Sequence, residues 1–320
     1  MIKKLSIQNF KSVRHLDLSC RRVNVFIGEP NAGKTNILEG LAWGCAEVRR
    51  DLKRCLRISE PIDLFWDQNP KPGIQFRFDD VGAEFIRDSG TWRLRALPGA
   101  KEKFSNQWQA DLTVRSHSAF SVCLYYLWSV TDEQWHEDGA NLRPPFGQNI
   151  AALLYSDRNA RASSSSFFTS TGFRLSVDFS SKSLKVVKEA DDVLIAFPYQ
   201  TVSETLRRML FYHLAIDTNE NQTLVFDEPE AHAYPPYTKI LAEKIALDNR
   251  GNQFFLTTHS PYMLDSLISK TPAEDLNIIL CRMEDFETKA YVMTEEQKVQ
   301  IMEWSMDAFF NFDRLLPERE

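Results

Sequence analysis

The chain has 320 residues, 43% of them hydrophobic and 26% charged, with a net charge of −6; this is a globular composition with ample core, and its acidic balance does not indicate nucleic acid as the main partner. No apolar run is long enough to span a bilayer, and residues 1–7 lack the apolar stretch of a signal peptide, so no membrane partner is expected. The five cysteines are scattered and odd in number with no C-x-x-C pair, which speaks against a disulfide or zinc framework and fits a reducing cytoplasm.

Apolar patterning predicts strands over 2–7, 16–18 and 23–27. The third, Val23-Asn24-Val25-Phe26-Ile27, is rich in β-branched and aromatic residues, as in a buried parallel strand. It runs into Gly28-Glu29-Pro30-Asn31-Ala32-Gly33-Lys34-Thr35, which fits G-x-x-x-x-G-K-[ST], the phosphate-binding loop. Gly28 and Gly33 let the backbone wrap close to phosphate, and the loop through Asn31 and Ala32 to Asn36 offers its N–H groups as an anion nest. Lys34 can reach the β- and γ-phosphates and Thr35 can hold Mg²⁺. Apolar residues at helical spacing over 36–43 predict a helix whose positive end faces the same phosphates. Strand, loop and helix together point to ATP with Mg²⁺.

Arg49, Arg50, Lys53, Arg54 and Arg57 follow, read first as a solvated helix face and second as a local basic patch. Alternation over 74–78, 83–86 and 92–97 predicts an antiparallel β subdomain. Residues 121–130 are apolar and aromatic, and Pro144, Pro145 and Gly147 then break the pattern. Ser163 to Ser166 with Thr169, Ser170 and Thr171 reads as a loop. Ser203 opens a helix that continues through 216. A second apolar strand over 223–226 ends in Asp227, placed to hold Mg²⁺ through water, and Glu228, placed to polarise an attacking water. Glu230 reads as flanking structure. After a helix over 237–247, a third strand over 252–258 ends at His259, whose imidazole is placed to sense a γ-phosphate. A helix over 262–268, a hairpin over 278–281 and 290–293, and a helical tail over 295–310 complete the reading. Lys34, Glu228 and His259 are the catalytic candidates.

These segments resemble the ABC-type P-loop ATPases of the RecF, SMC and OLD group. Residues 224–235 resemble that group's Walker B and D-loop, often written DEPEAHLHP, with Tyr234 where histidine is common. Thr257-Thr258-His259-Ser260-Pro261 resembles its H-loop, and Ile7-Gln8-Asn9-Phe10-Lys11-Ser12 its opening strand and turn. The resemblance covers about residues 1–45 and 200–320. It implies an α/β P-loop NTPase head with a mainly parallel core sheet, an antiparallel β subdomain and an inserted mixed or helical middle region. One ATPase domain is expected over 1–320, with a core lobe at 1–50 and 195–295, an insert at 51–194 and a helical tail at 295–320. No heptad array marks a coiled-coil arm, and too few residues follow His259 for a Toprim domain.

The resemblance also implies a head-to-head homodimer, or a higher homo-oligomer, that closes around two Mg·ATP. Each site is then completed by the signature motif of the other copy. That motif maps to 202–210, where Ser203 fits as a helix N-cap and as a γ-phosphate ligand in trans, or as a cap alone. Glu204 or Thr205 replaces its usual glycine. The glutamine loop is open between Gln75, Gln107 and residues 155–158. Compact AAA-family relatives often accompany an effector protein such as a nuclease in bacterial anti-phage or toxin–antitoxin-like systems. The leading expectation is therefore an ATP-hydrolysing switch with a separate effector. The alternatives are a RecF-like DNA-repair ATPase, which needs a basic groove, and a non-hydrolysing nucleotide-bound scaffold. A nuclease within the chain is not indicated.

Overall fold

The computed structural model describes residues 1–44, 48, 52–97, 105–108, 122–129, 139–169, 171–303 and 307–317. Arg49, Arg50 and Ser170 lie outside the described residues. Strands β1 (Lys4–Phe10) and β2 (Val13–Ser19) form a hairpin, and β3 (Val23–Ile27) leads into α1 (Lys34–Ala42) and α2 (Leu52–Leu56). Strands β4 (Ile74–Phe78), β5 (Val81–Asp88), β6 (Thr91–Ala96) and β7 (Ser105–Trp108) form a meander, and β8 (Leu124–Tyr126) follows. Helices α3 (Ile150–Ser156) and α4 (Arg158–Thr169) precede a second meander, β9 (Arg174–Asp178), β10 (Ser183–Ala190) and β11 (Val193–Pro198). The last third alternates α5 (Glu204–Asp217), β12 (Thr223–Phe226), α6 (Pro235–Ala246), β13 (Gln253–Thr257) and α7 (Pro261–Lys270). It closes with β14 (Leu276–Glu284), β15 (Glu287–Val292), α8 (Glu295–Glu303) and α9 (Phe312–Leu315).

The core is a six-stranded sheet in the order β15-β14-β3-β13-β12-β8, parallel throughout except for the antiparallel edge strand β15. Its strands are apolar on both faces because both faces are covered. Val25, Leu224, Phe226, Phe254 and Leu256 pack toward a cluster that includes α5, α6 and α7. Phe26, Val225 and Phe255 point the other way, onto α1 and the antiparallel sheet β2-β1-β4-β5-β6-β7. Because β3, β13 and β12 are neighbours and parallel, the three loops after them open at one edge. In open α/β sheets that edge is where ligands bind.

Part of the expected insert belongs to the core. Strand β4 pairs with β1, and β8 pairs in parallel with β12, with Tyr125 and Tyr126 buried toward opposite clusters. Residues 163–169 of the serine-rich stretch are helical, not a loop. Each hydroxyl folds back onto its own helix: Ser164 donates to the Ala160 carbonyl, Ser165 to that of Arg161, Ser166 to that of Ser163 and Thr169 to that of Ser165. These bonds satisfy the polar groups locally, while Ala160, Phe167 and Phe168 pack into the core. The meander β9–β11 has no counterpart among the sequence expectations. Among the described residues, no helix is long and apolar enough to cross a membrane.

Phe226 is fully buried and packs edge-on against Tyr126 and Tyr212. Phe226→Ala should therefore lower unfolding free energy by about 3–5 kcal/mol in denaturant titration. Phe310, 92% exposed, serves as the control, and its replacement by Ala should change stability by less than about 0.5 kcal/mol.

Candidate nucleotide site

The loop after β3 is held in shape by its two glycines. Gly28 has φ +154°, and a Cβ there would lie 2.0 Å from the Cys281 carbonyl oxygen on β14. Gly33 is the N-cap of α1 at φ +83°, and a Cβ there would lie 1.8 Å from Thr288 Oγ1 on β15. The β14–β15 hairpin thus presses against the loop and excludes any side chain at either position. Thr288 Oγ1 also lies 2.6 Å from Ser12 Oγ, to which Asn36 donates at 2.6 Å. Asn31 is exposed in left-handed backbone at φ +62°, and Ala32 is buried.

Lys34 is 5% exposed, and its ammonium donates to the carbonyls of Gly28 and Glu29, both at 2.9 Å. Burial lowers its pKa, and the charges of Asp227 and Glu228 act in the opposite direction. Next in sequence, Thr35 Oγ1 donates to Asp227 Oδ1 at 3.1 Å. The same oxygen accepts from Thr257 Oγ1 at 2.6 Å. A hydroxyl and a carboxylate brought together in this way are hard oxygen donors of the kind Mg²⁺ takes. The residues present therefore fit a phosphate-bound Mg²⁺.

Glu228 follows Asp227 with left-handed backbone at φ +43°. Its N–H donates to Thr257 Oγ1 at 2.9 Å, so one threonine hydroxyl orients both acids. The Glu228 side chain is half-buried, with Oε1 3.5 Å from His259 Nε2. Burial and the positive charge of Lys34 lower the His259 pKa, outweighing the two acids. The imidazole is thus neutral at pH 7, and the contact is a loose polar one rather than an ion pair.

Two contributors escaped the sequence reading. Thr257 was not singled out, because a threonine inside a strand carries no distinguishing signal. Glu230 was read as flanking structure. It is buried, accepts from Thr258 Oγ1, and accepts from the His259 N–H at 3.3 Å, so it holds the turn that presents the imidazole. Its other oxygen, Oε2, is buried without a hydrogen-bond partner among the described residues. Burial raises its pKa, against the opposing pull of the Thr258 hydrogen bond.

The structure brings Lys34, Thr35, Asp227, Glu228 and His259 together at the sheet edge. It does not bring Ser203 to them. Ser203 is exposed at the start of α5, and its hydroxyl accepts from Leu206 N at 3.4 Å. Of the candidates for the glutamine loop, Gln75 donates to Glu84 within the antiparallel sheet, and Tyr155 and Ser156 end α3; the Gln107 backbone is in β7. The basic cluster is engaged in part. Arg57 bonds to the buried Glu39 at 2.9 Å, and the Arg54 guanidinium lies 3.9 Å from the Phe146 ring centre. A cavity of about 840 Å³ lies between α6, α7 and the segment after α8, and none of Lys34, Thr35, Asp227, Glu228 and His259 lines it.

Comparison with known proteins agrees with this geometry. Residues 138–265 match the family described as "AAA domain, putative AbiEii toxin, Type IV TA system", and residues 4–117 match an AAA-domain family. An SMC head bound to the C-winged helix domain of ScpA superposes with a TM-score of 0.56 at 16% identity, covering 92% of this chain and 98% of that one. The chain has the fold of an SMC head domain. A second SMC head, with an extended coiled coil and bound to the C-terminal domain of ScpA, derives from Pyrococcus furiosus; it gives a TM-score of 0.55 at 13% identity over 94% of this chain and 98% of that one. No curated protein matches the sequence significantly. The mixed α/β architecture expected from the motifs, with its parallel core and antiparallel subdomain, is the one observed.

The raised Glu230 pKa has a consequence for stability. As pH rises past the ordinary glutamate value, the unfolded chain ionises this group before the folded protein does, so folding loses stability. Glu230→Gln removes that loss. The melting temperature of the variant relative to the parent should therefore climb as pH rises above about 4, and a flat difference would show that folding does not raise the Glu230 pKa.

Proposed function

We propose that this chain is an ATP-hydrolysing switch that closes as a pair of copies around Mg·ATP and controls a separate effector protein. The observation that carries the reading is the meeting of three loops at one sheet edge, with Thr35 and Asp227 in contact and Glu228 facing His259. Lys34 leaves the Gly28 and Glu29 carbonyls and binds the β- and γ-phosphates. Thr35 and Asp227 hold Mg²⁺, which supplies charge neutralisation on the phosphates. Glu228 orients and polarises the attacking water. His259, neutral and backed by Glu230, contacts the γ-phosphate.

Ser203 stands exposed at the positive end of α5, where a second copy's nucleotide can reach it. The match to a family described as "AAA domain, putative AbiEii toxin, Type IV TA system" supports a toxin–antitoxin-like setting. A separate effector is supported by the two SMC heads, each of which is bound to a domain of another protein.

Lys34→Ala should abolish ATP binding and turnover. Glu228→Gln should bind ATP normally and hydrolyse it at least about 100-fold more slowly, as expected for loss of a general base. Normal turnover by Glu228→Gln would remove Glu228 from the reaction. The solution mass of Glu228→Gln should double on adding Mg·ATP. ATP binding at unchanged mass would refute closure by a pair, and recovery of the homomer alone from its own cells would count against the effector.

A further inference from the structure

The acidic loop is tied to α5 as well as to the core sheet. Arg208, buried on α5, donates from Nη2 to the Glu228 carbonyl at 2.9 Å and from Nε to the Pro229 carbonyl at 3.3 Å. Three residues earlier, Thr205 Oγ1 donates to the His232 carbonyl at 2.9 Å. Glu228 and His232 both have left-handed backbone, at φ +43° and +61°. Non-glycine residues adopt that conformation only where their surroundings hold them. The Glu228 N–H is held by Thr257 and its carbonyl by Arg208. Apart from the loose contact with His259, its carboxylate has no protein partner among the described residues. The point and direction from which that side chain leaves the backbone are set by the main chain so held. A guanidinium that gives two donors to main-chain carbonyls fixes a peptide plane more firmly than a neutral side chain does.

We infer that Arg208 is a positioning residue for hydrolysis, which sets the Glu228 main chain and so the aim of its carboxylate, with Thr205 holding the far end of the same loop. This rests on Glu228 acting in ATP hydrolysis. Because Arg208 and Ser203 share α5, the clamp also links the helix start to the water-activating acid. It gives Thr205, one of the two residues standing where the group's glycine is usual, a role within its own chain.

The test is steady-state ATPase kinetics and ATP affinity for the parent, Arg208→Met, Arg208→Lys and Thr205→Val, each also made in Glu228→Gln. Arg208→Met should lower kcat at least about 10-fold with ATP affinity within about threefold of the parent, the pattern of a lost transition-state contribution. Arg208→Lys should fall between the two, and Thr205→Val should lower kcat less. In Glu228→Gln, Arg208→Met should lower the residual rate by less than about twofold, because the group it aims is gone. An unchanged kcat in Arg208→Met, or an equal loss in both backgrounds, overturns the inference while leaving the ATPase intact. A loss of ATP affinity that parallels the loss of kcat also overturns it, by making Arg208 a structural residue. If Arg208→Met fails to fold, Arg208→Lys and Thr205→Val carry the same comparison. A parent that binds but does not hydrolyse ATP would refute the ATPase reading itself, and the inference with it.

Discussion

One carboxylate oxygen joins the three loops of the site. Asp227 Oδ1 accepts from Thr35 at the start of α1 and from Thr257 at the end of β13, while Asp227 itself closes β12. Both bonds are to an ionised acceptor, which makes them stronger than neutral ones. They work only because the parallel register sets β13 between β3 and β12, so that the three strand ends are level. A slip of one residue in β13 would turn Thr257 to the opposite face of the sheet and leave Asp227 without it. The alternation that buries Phe254 and Leu256 on one side and Phe255 on the other is therefore also what fixes the acid. Packing and site geometry are specified by the same residues.

The parts legible in the sequence are those governed by local rules. The phosphate loop is a contiguous pattern, the strands beside it are apolar without interruption, and Asp227, Glu228 and His259 each stand directly at a strand end. What stayed hidden depends on partners far away in the chain. Thr257 acts through an acid 30 residues away, and Glu230 through the turn at Thr258 and His259. Helix α4 was misread because serine counts as a turn former on average, and only the buried Phe167 and Phe168 face shows that its hydroxyls can bond back along a helix. Strand β8 is three residues long, too short for any periodicity, and its place is set by pairing with β12.

The glycines of the phosphate loop show how a motif can meet two demands at once. Their freedom lets a backbone approach phosphate, and in this chain it also lets β14 and β15 approach the backbone from behind. The Thr288 hydroxyl occupies the space a Gly33 side chain would need, and it is held there by Ser12. The loop is thereby clamped against the closing hairpin, which removes conformational freedom that ligand binding would otherwise have to take away. The hairpin read from sequence over 278–281 and 290–293 is thus also the wall of its site.

The altered signature segment looks like a loss when read as a string, because a glycine that permits close approach has become Glu204 or Thr205. In three dimensions both side chains are engaged within the chain. Glu204 accepts from the Trp128 indole at 3.2 Å and faces Arg208, and Thr205 bonds to the loop after Glu228. Helix α5 consequently cannot shift along its axis without drawing on the carbonyls of Glu228, Pro229 and His232. Such a linkage does not require a glycine at the helix start; it requires a stiff helix and charged hydrogen bonds at its inner end. This chain has both, in fourteen residues of α5 and the guanidinium of Arg208.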